Sequence, residues 1–354
     1  MNFLITETTC KKLKDYMEAS IPRYKKEGLS EKDLILPLNI GINAGNYWVK
    51  NRGDYGKSIY KTACVAIEPG SIVNLEENME NGRLPRVINI NGTYFKVGEG
   101  ISITGDLMVK PVEEFRALML MAIAKQVAKK AKFKKVKLVE VSVGVGLSVK
   151  EFDKPGYRDH LRNILSGMHK IKYQGLEFII SISKKNIAIS AEGYAHFQAN
   201  YSDFVGNDDM GLYLLDIGSE TLDTVFILNE SIEKSDSQPL GVLRLIENIT
   251  DRVSGESEHA TQSYIEKLVR TGSIELERPY SMSEFQDLKN KYEEGIRIYL
   301  NNKYRSIGVA NKIVALGGGA CVIGDFLKEN YRNLEIPANA EYLNAEAYYI
   351  LSFK

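Results

Sequence analysis

Short apolar segments that end in glycine-bearing turns recur along the chain and predict buried strands. These segments lie at positions 38–42, 138–145, 211–216 and 312–316. Pro37 predicts that the first strand begins after it, because proline cannot donate a hydrogen bond to a strand ladder. A strand–turn–strand pattern followed by helices begins near residue 38 and again near residue 212. The repeat predicts two related α/β halves, since its period is far too long for a stack of short repeats.

Alternating apolar and polar residues predict a β-rich segment between positions 47 and 103, with strands at 71–75 and 94–98. Pro111 then predicts the start of a helix of about 20 residues, because proline is favoured in the first helical turn. One face of this helix is expected to pack on the core. The residues on that face are Val112, Phe115, Leu118, Met119, Ala122, Ile123 and Val127.

The remaining elements are predicted from the same signals. A helix is expected at about 157–166 and a hairpin-like pair of strands over 170–183. Ser283 and Gln286 match a capping box, which predicts that a helix begins at Ser283. The apolar face of that helix is predicted to contain Phe285, Leu288, Tyr292, Ile296 and Tyr299.

Composition excludes several classes of protein. The 354 residues include 46 Lys and Arg against 46 Asp and Glu, so no overall positive field attracts nucleic acid or an anionic membrane. Three widely spaced cysteines and four histidines without ligand spacing predict neither a disulfide framework nor a zinc site. A short apolar start and the lack of any long apolar run predict a cytoplasmic protein.

Three glycine-bearing turns follow predicted strands and are candidate phosphate loops, at 43–50, 216–223 and 317–320. Glycine lets backbone N–H groups come close to phosphate oxygens, and hydroxyl residues such as Ser219 and Thr221 add donors. A carboxylate at a strand end, such as Asp216, can hold Mg²⁺ through water. Each turn alone also fits an ordinary tight connection. The absence of GxxxxGK[ST] and of a GxGxxG turn before a helix argues against a P-loop or dinucleotide-binding protein.

From about residue 38 to the end, the order of these segments resembles ParM and related bacterial actin-like proteins. Positions 43–50, 142–147, 169–175, 191–195, 216–223, 316–320 and 342–346 carry the resemblance. It implies an α/β, actin-like (ribonuclease H-like) duplicated two-domain fold with a central nucleotide cleft. The implied domain I spans 35–211 and 338–354, with a β-rich subdomain at about 55–105, and domain II spans 212–337. Residues 1–34 would form an N-terminal extension without a counterpart.

The resemblance also implies a set of site residues. Glu192 would activate the attacking water, and Asp216 would bind Mg²⁺ through water. The implied nucleotide-binding residues are Asn43, Gly45, Asn46, Lys50, Gly218, Ser219, Glu220, Thr221, Gly317, Gly318 and Gly319. Two positions depart from the family pattern, because Asn43 stands where aspartate is usual and Ser219 where glycine is usual. The missing carboxylate implies weaker Mg²⁺ binding or slow hydrolysis.

The function implied by the resemblance is an ATPase that forms filaments on binding ATP, or GTP, with Mg²⁺ and drives plasmid DNA segregation. Its implied partners are further copies of itself and a ParR-like DNA-binding adaptor on a plasmid centromere, without direct contact to membrane or nucleic acid. Two alternatives stay open. A sugar-type kinase of the same superfamily would use the same phosphate loops, and a structural nucleotide-binding filament would show little hydrolysis.

Overall fold

A computed structural model of the chain describes residues 35–129, 136–200, 204, 211–255, 257 and 260–353. The proposed extension, residues 1–34, lies outside the described residues. The strands are β1 (Ile35–Ala44), β2 (Trp48–Gly53), β3 (Gly56–Lys61), β4 (Ala63–Ile67), β5 (Val87–Ile90), β6 (Thr93–Val97), β7 (Ile101–Ser102), β8 (Leu138–Leu147), β9 (Gly167–Tyr173), β10 (Leu176–Ala191), β11 (Leu212–Ile217), β12 (Leu222–Leu228), β13 (Ser231–Gln238), β14 (Ser273–Glu275), β15 (Pro279–Ser281), β16 (Lys312–Leu316) and β17 (Leu334–Glu335). The α-helices are α1 (Leu75–Glu80), α2 (Val112–Ala128), α3 (Val149–Phe152), α4 (Tyr157–Leu165), α5 (Tyr194–Ala199), α6 (Leu243–Ser254), α7 (Gln262–Thr271), α8 (Gln286–Lys303), α9 (Gly318–Val322), α10 (Gly324–Asn330) and α11 (Leu343–Leu351).

The chain divides into two units. Of the described residues, unit 1 takes those up to 147, then 151–191 and those from 345 on, and unit 2 takes 148–150 and 192–344. The boundary between the units after β10 therefore lies at residue 191, about twenty residues before the domain boundary at residue 211 that the sequence predicted. The return of the chain to unit 1 falls at residue 345 rather than 338, within helix α11.

Each unit contains a sheet of the same plan. Unit 1 has the strand order β3-β2-β1-β8-β10, continued by further strands, and unit 2 has the order β13-β12-β11-β16-β17. In both, the first two pairings are antiparallel and the next two are parallel. The predicted duplication is confirmed. It follows from the repeated strand–turn–strand pattern, because a tight turn forces antiparallel pairing and a helical crossover returns the chain in parallel.

Two predicted strand boundaries differ from the structure. β1 already begins at Ile35, so Pro37 lies within it. β2 pairs with β1 only from Ile40 onward, so among the described strands Pro37 has a paired neighbour on one side only, which is β8. Proline is tolerated there because its missing N–H is not needed on the open side. The strand predicted at 71–75 is wrong. Asn74 adopts a left-handed conformation (φ 52°) and helix α1 begins after it, burying Leu75 and Met79 one turn apart.

The middle of helix α2 is buried around its whole circumference rather than along one face. Each residue from Ala117 to Ala124 is at most 1% exposed, whereas Val112, predicted on the buried face, is 37% exposed. The helix contacts β1, β4, β6 and helix α4, so structure covers it on several sides. Small and flexible residues on the second face, such as Ala117 and Met121, make this close packing possible. The predicted face is therefore buried except at Val112, and the burial of the second face was not predicted, because periodicity cannot count the neighbours of a helix.

The capping box is formed by Ser281 and Glu284, two residues before the pair that the sequence predicted. The N–H of Ser281 donates to the carboxylate of Glu284 (2.8 Å), and the Ser281 hydroxyl oxygen accepts from the N–H of Ser283. This cap begins a 3-10 turn over Met282–Phe285 that leads into α8. Of the predicted apolar face, Phe285, Tyr292 and Ile296 are buried as expected.

Glycines in β1 and β8 let helix α11 lie directly on the backbone of the unit 1 sheet. A Cβ atom on Gly41 would come within 2.1 Å of the Ala345 carbonyl oxygen, and one on Gly144 within 1.9 Å of the Tyr348 carbonyl oxygen. Gly41 and Gly144 are neighbours in the parallel register of the two strands. The glycines therefore serve packing in unit 1.

A buried histidine makes the stability of unit 1 depend on pH. His169 on β9 is fully buried, and its pKa is lowered from 6.5 to about 4, first by burial and further by the charge of Arg116. The unfolded chain binds a proton below pH 6.5 while the folded chain does not until about pH 4. The free energy of unfolding should therefore fall by about 3 kcal/mol as the pH drops through this window.

Urea denaturation of the wild type and of His169→Gln at pH 7 and pH 4.5 measures this effect. The variant keeps a side chain able to donate to the Leu165 carbonyl oxygen, which His169 Nε2 contacts at 3.3 Å, but does not titrate. The free energy of unfolding of His169→Gln should therefore fall less than that of the wild type between pH 7 and pH 4.5. Equal acid sensitivity of the two proteins would contradict the prediction.

Among the described residues, no helix combines the length and the apolarity needed to cross a bilayer.

Candidate functional site

The first candidate loop joins β1 to β2 in unit 1. Asn43 and Lys50 are directly opposite each other in the antiparallel register, so their side chains project from the same face of the sheet. Lys50 is only 8% exposed. The side-chain oxygen of Asn43 is buried and has no hydrogen-bond partner among the described residues. A buried polar atom without a partner is costly, which favours a position that a ligand completes.

The turn itself is held by two contacts from outside it. The Lys110 ammonium donates to the side-chain oxygen of Asn46 (3.1 Å), and the Thr62 hydroxyl donates to the Gly45 carbonyl oxygen (2.6 Å). A Cβ atom on Gly45 would approach nothing closer than 3.4 Å, so packing within the fold does not require glycine there. Sequence reasoning missed Lys110, which is 64 residues away from Asn46 and belongs to no motif.

The second candidate loop joins β11 to β12 in unit 2. Asp216 and Asp223 are opposite each other in the register and are 6% and 3% exposed. The Thr221 hydroxyl donates to Asp223 (2.7 Å), so its single hydrogen is engaged. Thr221 therefore presents oxygen lone pairs rather than the donor that the sequence suggested. Two buried carboxylates on one face favour a cation nearby.

The backbone of this loop is oriented by the start of helix α6. The carbonyl oxygens of Gly218, Ser219 and Glu220 accept hydrogen bonds from the N–H groups of residues 242, 243 and 241, at 2.8–3.1 Å. In a trans peptide the N–H points opposite to the C=O. The N–H groups of Ser219, Glu220 and Thr221 are therefore directed away from α6. Successive N–H groups on one side of a turn form a concavity suited to an anion.

Gly241 makes this arrangement possible and was missed in the sequence. A Cβ atom there would come within 2.1 Å of the Ser219 carbonyl oxygen and 2.3 Å of the Glu220 carbonyl carbon. Only glycine allows so close a contact between the two backbones. The available signal was a Pro-Leu-Gly segment at 239–241 directly before an amphipathic helix.

Glu192 is presented by a tight turn beside Asp216. The N–H of Tyr194 donates to the Glu192 carbonyl oxygen (2.9 Å), and Gly193 between them has φ 74° and ψ −56°, a γ-turn that favours glycine. Asn344, which is 4% exposed, accepts from the N–H of Gly193 (3.2 Å) and donates to the Asp216 carboxylate. Asn344 thus links the turn that carries Glu192 to Asp216. The resemblance included Asn344, but not as a site residue.

The glycine triplet after β16 packs against β11. A Cβ atom on Gly317 would lie 2.4 Å from the Ile217 carbonyl oxygen and 2.5 Å from an Asp216 carboxylate oxygen, and one on Gly319 would lie 2.3 Å from the Ile217 side chain. Gly317 also has φ 86°. Internal packing therefore accounts for Gly317 and Gly319 without a ligand.

In unit 2, the structure thus brings Glu192, Asp216, the Gly218–Thr221 turn and Gly317 together around the ends of β11 and β16. In unit 1, it brings Asn43, Gly45, Asn46 and Lys50 to one turn. No group of three or more His, Cys, Asp or Glu side chains suited to a metal occurs in the described part of the chain. Mg²⁺ nevertheless fits unit 2, because one or two carboxylates and the substrate phosphates commonly suffice for this ion.

Comparison with known proteins finds the same fold in bacterial and archaeal actin-like proteins. Residues 41–194 match the model of the actin-like proteins N-terminal domain, and none of the curated proteins matches the sequence. A 15-stranded ParM filament from Clostridium botulinum shares 17% identity with a TM-score of 0.68, over 90% of this chain and 99% of that chain. Bacillus thuringiensis ParM with AMPPNP shares 16% identity with a TM-score of 0.65, over 89% and 98%. An archaeal actin homologue shares 17% identity with a TM-score of 0.65, over 90% and 99%.

These likenesses confirm the predicted actin-like, duplicated two-domain fold. The family match at residues 41–194 includes the first loop and lies mostly in unit 1, whereas the structural likeness extends over both units. Together, the matched domain and the shared architecture show that the chain has the actin-like fold, which it shares with these ParM proteins.

Proposed function

We propose that the protein is a nucleotide-driven filament protein that binds ATP or GTP with Mg²⁺, assembles with copies of itself and hydrolyses the bound nucleotide. The observation that carries this proposal is the second loop. Three successive N–H groups, at Ser219 to Thr221, are directed to one side of a turn that follows the buried carboxylate of Asp216. Backbone donors beside a carboxylate suit a phosphate group accompanied by a cation.

The proposed phosphate-binding residues are those of the two turns. In unit 1 these are Asn43, Gly45, Asn46 and Lys50, and in unit 2 they are Gly218 to Thr221. The Gly317–Gly319 segment, which packs closely on β11, would line the nucleoside side. Phosphoryl transfer depends chiefly on positioning and charge stabilisation, so a small set of this kind suffices.

Asp216 would hold the Mg²⁺ ion through water, with the charge of Asp223 opposite it on the neighbouring strand. When bound, Mg²⁺ supplies charge neutralisation to the phosphates. Glu192 would position the attacking water and accept its proton. The hydrogen bonds of Asn344 to Gly193 and Asp216 would hold Glu192 and Asp216 in a fixed relative position.

Assembly and cellular role rest on the similar proteins. One of them is a ParM filament, and two others are ParM with ATP and ParM with AMPPNP. A contact repeated head to tail from subunit to subunit produces an open filament. By this analogy the protein would drive plasmid segregation through a ParR-like DNA-binding adaptor.

Asn43 favours a second candidate, a nucleotide-binding structural filament with little turnover. Its amide brings no charge to the turn, and the catalytic contribution of the unit 1 loop would be small. The two candidates differ in hydrolysis and agree in nucleotide-dependent assembly.

Light scattering and phosphate release, each with and without ATP and Mg²⁺, test the proposal together. Scattering that rises with ATP, accompanied by phosphate release, is the expected result. Scattering without phosphate release would select the structural filament. Turnover that requires an added sugar, without scattering, would overturn both in favour of a kinase. Trp48, the single tryptophan, begins β2 directly after the first turn and should change its fluorescence when nucleotide binds.

The Glu192→Ala variant should hydrolyse ATP about a hundredfold more slowly or worse, because a positioned base contributes this much to proton transfer. Nucleotide-dependent scattering should persist and decay more slowly, since the carboxylate acts on water rather than on binding. Glu247→Ala removes an exposed carboxylate from helix α6 of the same unit and is the matched control. Normal phosphate release by Glu192→Ala would show that another group positions the water.

A further inference from the structure

The turn between β1 and β2 contains no carboxylate. Residues 41–53 include neither aspartate nor glutamate, and the first acidic residue after them is Asp54. Asp54 is engaged elsewhere, since it accepts from the Asn39 N–H (2.8 Å) and from the Tyr349 hydroxyl (2.7 Å). The polar group at the end of β1 is the neutral amide of Asn43, whose buried oxygen has no partner among the described residues.

Three lysines instead lie at or next to this turn. Lys50 is opposite Asn43 and is 8% exposed. Lys110 donates to Asn46 at 3.1 Å, and its ammonium also lies 5.0 Å from the centre of the Phe115 ring. Lys61 is opposite Trp48 in the register and lies 5.2 Å and 5.7 Å from the ring centres of Tyr47 and Trp48. The turn is thus positively charged, and two of the three ammonium groups are fixed against its own side chains.

We infer that the unit 1 turn neutralises phosphate through lysine ammonium groups, so that the protein binds a nucleoside triphosphate even when Mg²⁺ is removed. An ammonium group shielded from water attracts phosphate oxygens strongly, because little solvent weakens the interaction. Mg²⁺ is usually held by one or two carboxylates together with the substrate phosphates, and this turn offers no carboxylate to it. The inference concerns binding at the unit 1 turn alone and leaves hydrolysis dependent on the metal, as in the proposed function. The inference rests on the proposed function.

Calorimetric titration of the wild-type protein with ATP, once in Mg²⁺ and once in EDTA, is the direct test. The dissociation constants should differ by less than about tenfold, which corresponds to about 1.4 kcal/mol. Phosphate release should nevertheless cease in EDTA. This comparison needs no variant, so no folding defect can interfere with it.

Two substitutions sharpen the test. Asn43→Asp places a carboxylate opposite Lys50, which should weaken binding in EDTA and restore it in Mg²⁺, making affinity dependent on the metal. Lys110→Met should weaken binding in EDTA more than in Mg²⁺. Lys172→Met, which removes the same charge from the exposed face of β9, is the control and should change neither value.

The outcomes separate the inference from the proposed function. Binding in both conditions, with metal dependence acquired by Asn43→Asp, supports the inference. Binding only in Mg²⁺ overturns it and leaves the proposed function standing. Binding in neither condition overturns the proposed function and the inference with it.

Discussion

Replacing Asp216 by asparagine should lower the rate of ATP hydrolysis at least about a hundredfold, the usual cost of removing one preorganised charge from a phosphoryl- or acyl-transfer site. Asp216 ends an otherwise apolar strand, is 6% exposed and faces the carboxylate of Asp223. The asparagine side chain has the same shape and can still accept from Asn344. The change therefore removes charge while preserving packing, including the close approach of Gly317 to this side chain.

Phosphate release measured over a range of Mg²⁺ concentrations checks this prediction. The residual activity of Asp216→Asn should need more Mg²⁺ than the wild type, since the variant keeps an oxygen that can accept from metal-bound water but lacks the charge. Asp325→Asn, in helix α10 of the same unit, is the matched control and should behave as the wild type. A variant with unchanged phosphate release would remove Asp216 from the proposed site.

The second large effect concerns the contact that shapes the phosphate loop. Gly241→Ala would place a methyl group 2.1 Å from the Ser219 carbonyl oxygen, so the two backbones must separate. We expect a loss of about 2–3 kcal/mol of unfolding free energy, the usual range for overpacking where no side chain can move aside. Because the same contact orients the N–H groups of the loop, nucleotide affinity should fall with it.

Urea denaturation and ATP titration monitored by Trp48 fluorescence measure the two consequences. Gly295→Ala is the control, because Gly295 lies inside helix α8 and an added Cβ would meet nothing within 4 Å. Alanine is the better helix former by about 1 kcal/mol, so this variant should be stabilised and bind nucleotide normally. If Gly241→Ala bound nucleotide as tightly as the wild type, the loop would not depend on this contact.

Local sequence patterns were sufficient to locate several strands and the turns that follow them. Apolar runs that end in glycine turns located β1, β8, β11 and β16, and their repetition predicted the two equivalent sheets. The turns themselves were also readable, because glycine and a carboxylate at a strand end stand next to each other in the chain. Asn43 and Asp216 could therefore be assigned to turn positions from their neighbours along the chain alone.

The sequence could not reveal how many neighbours each element would acquire. Helix α2 has an apolar stripe of the expected period but is covered on further sides, and only packing in the folded unit shows this. In the same way, the glycines at 317 and 319 match a phosphate loop in sequence, whereas in the structure the nearness of Ile217 already requires them.

The sequence by itself determined the order of strands and turns, the duplication and the candidate chemistry of each turn, because these depend on neighbouring residues. Only the tertiary structure decided which distant side chains complete the turns. Lys110 reaches Asn46, Asn344 joins Gly193 to Asp216, and Gly241 supports the loop after β11. These contacts join residues far apart along the chain, and their energies arise from distances that exist only after folding.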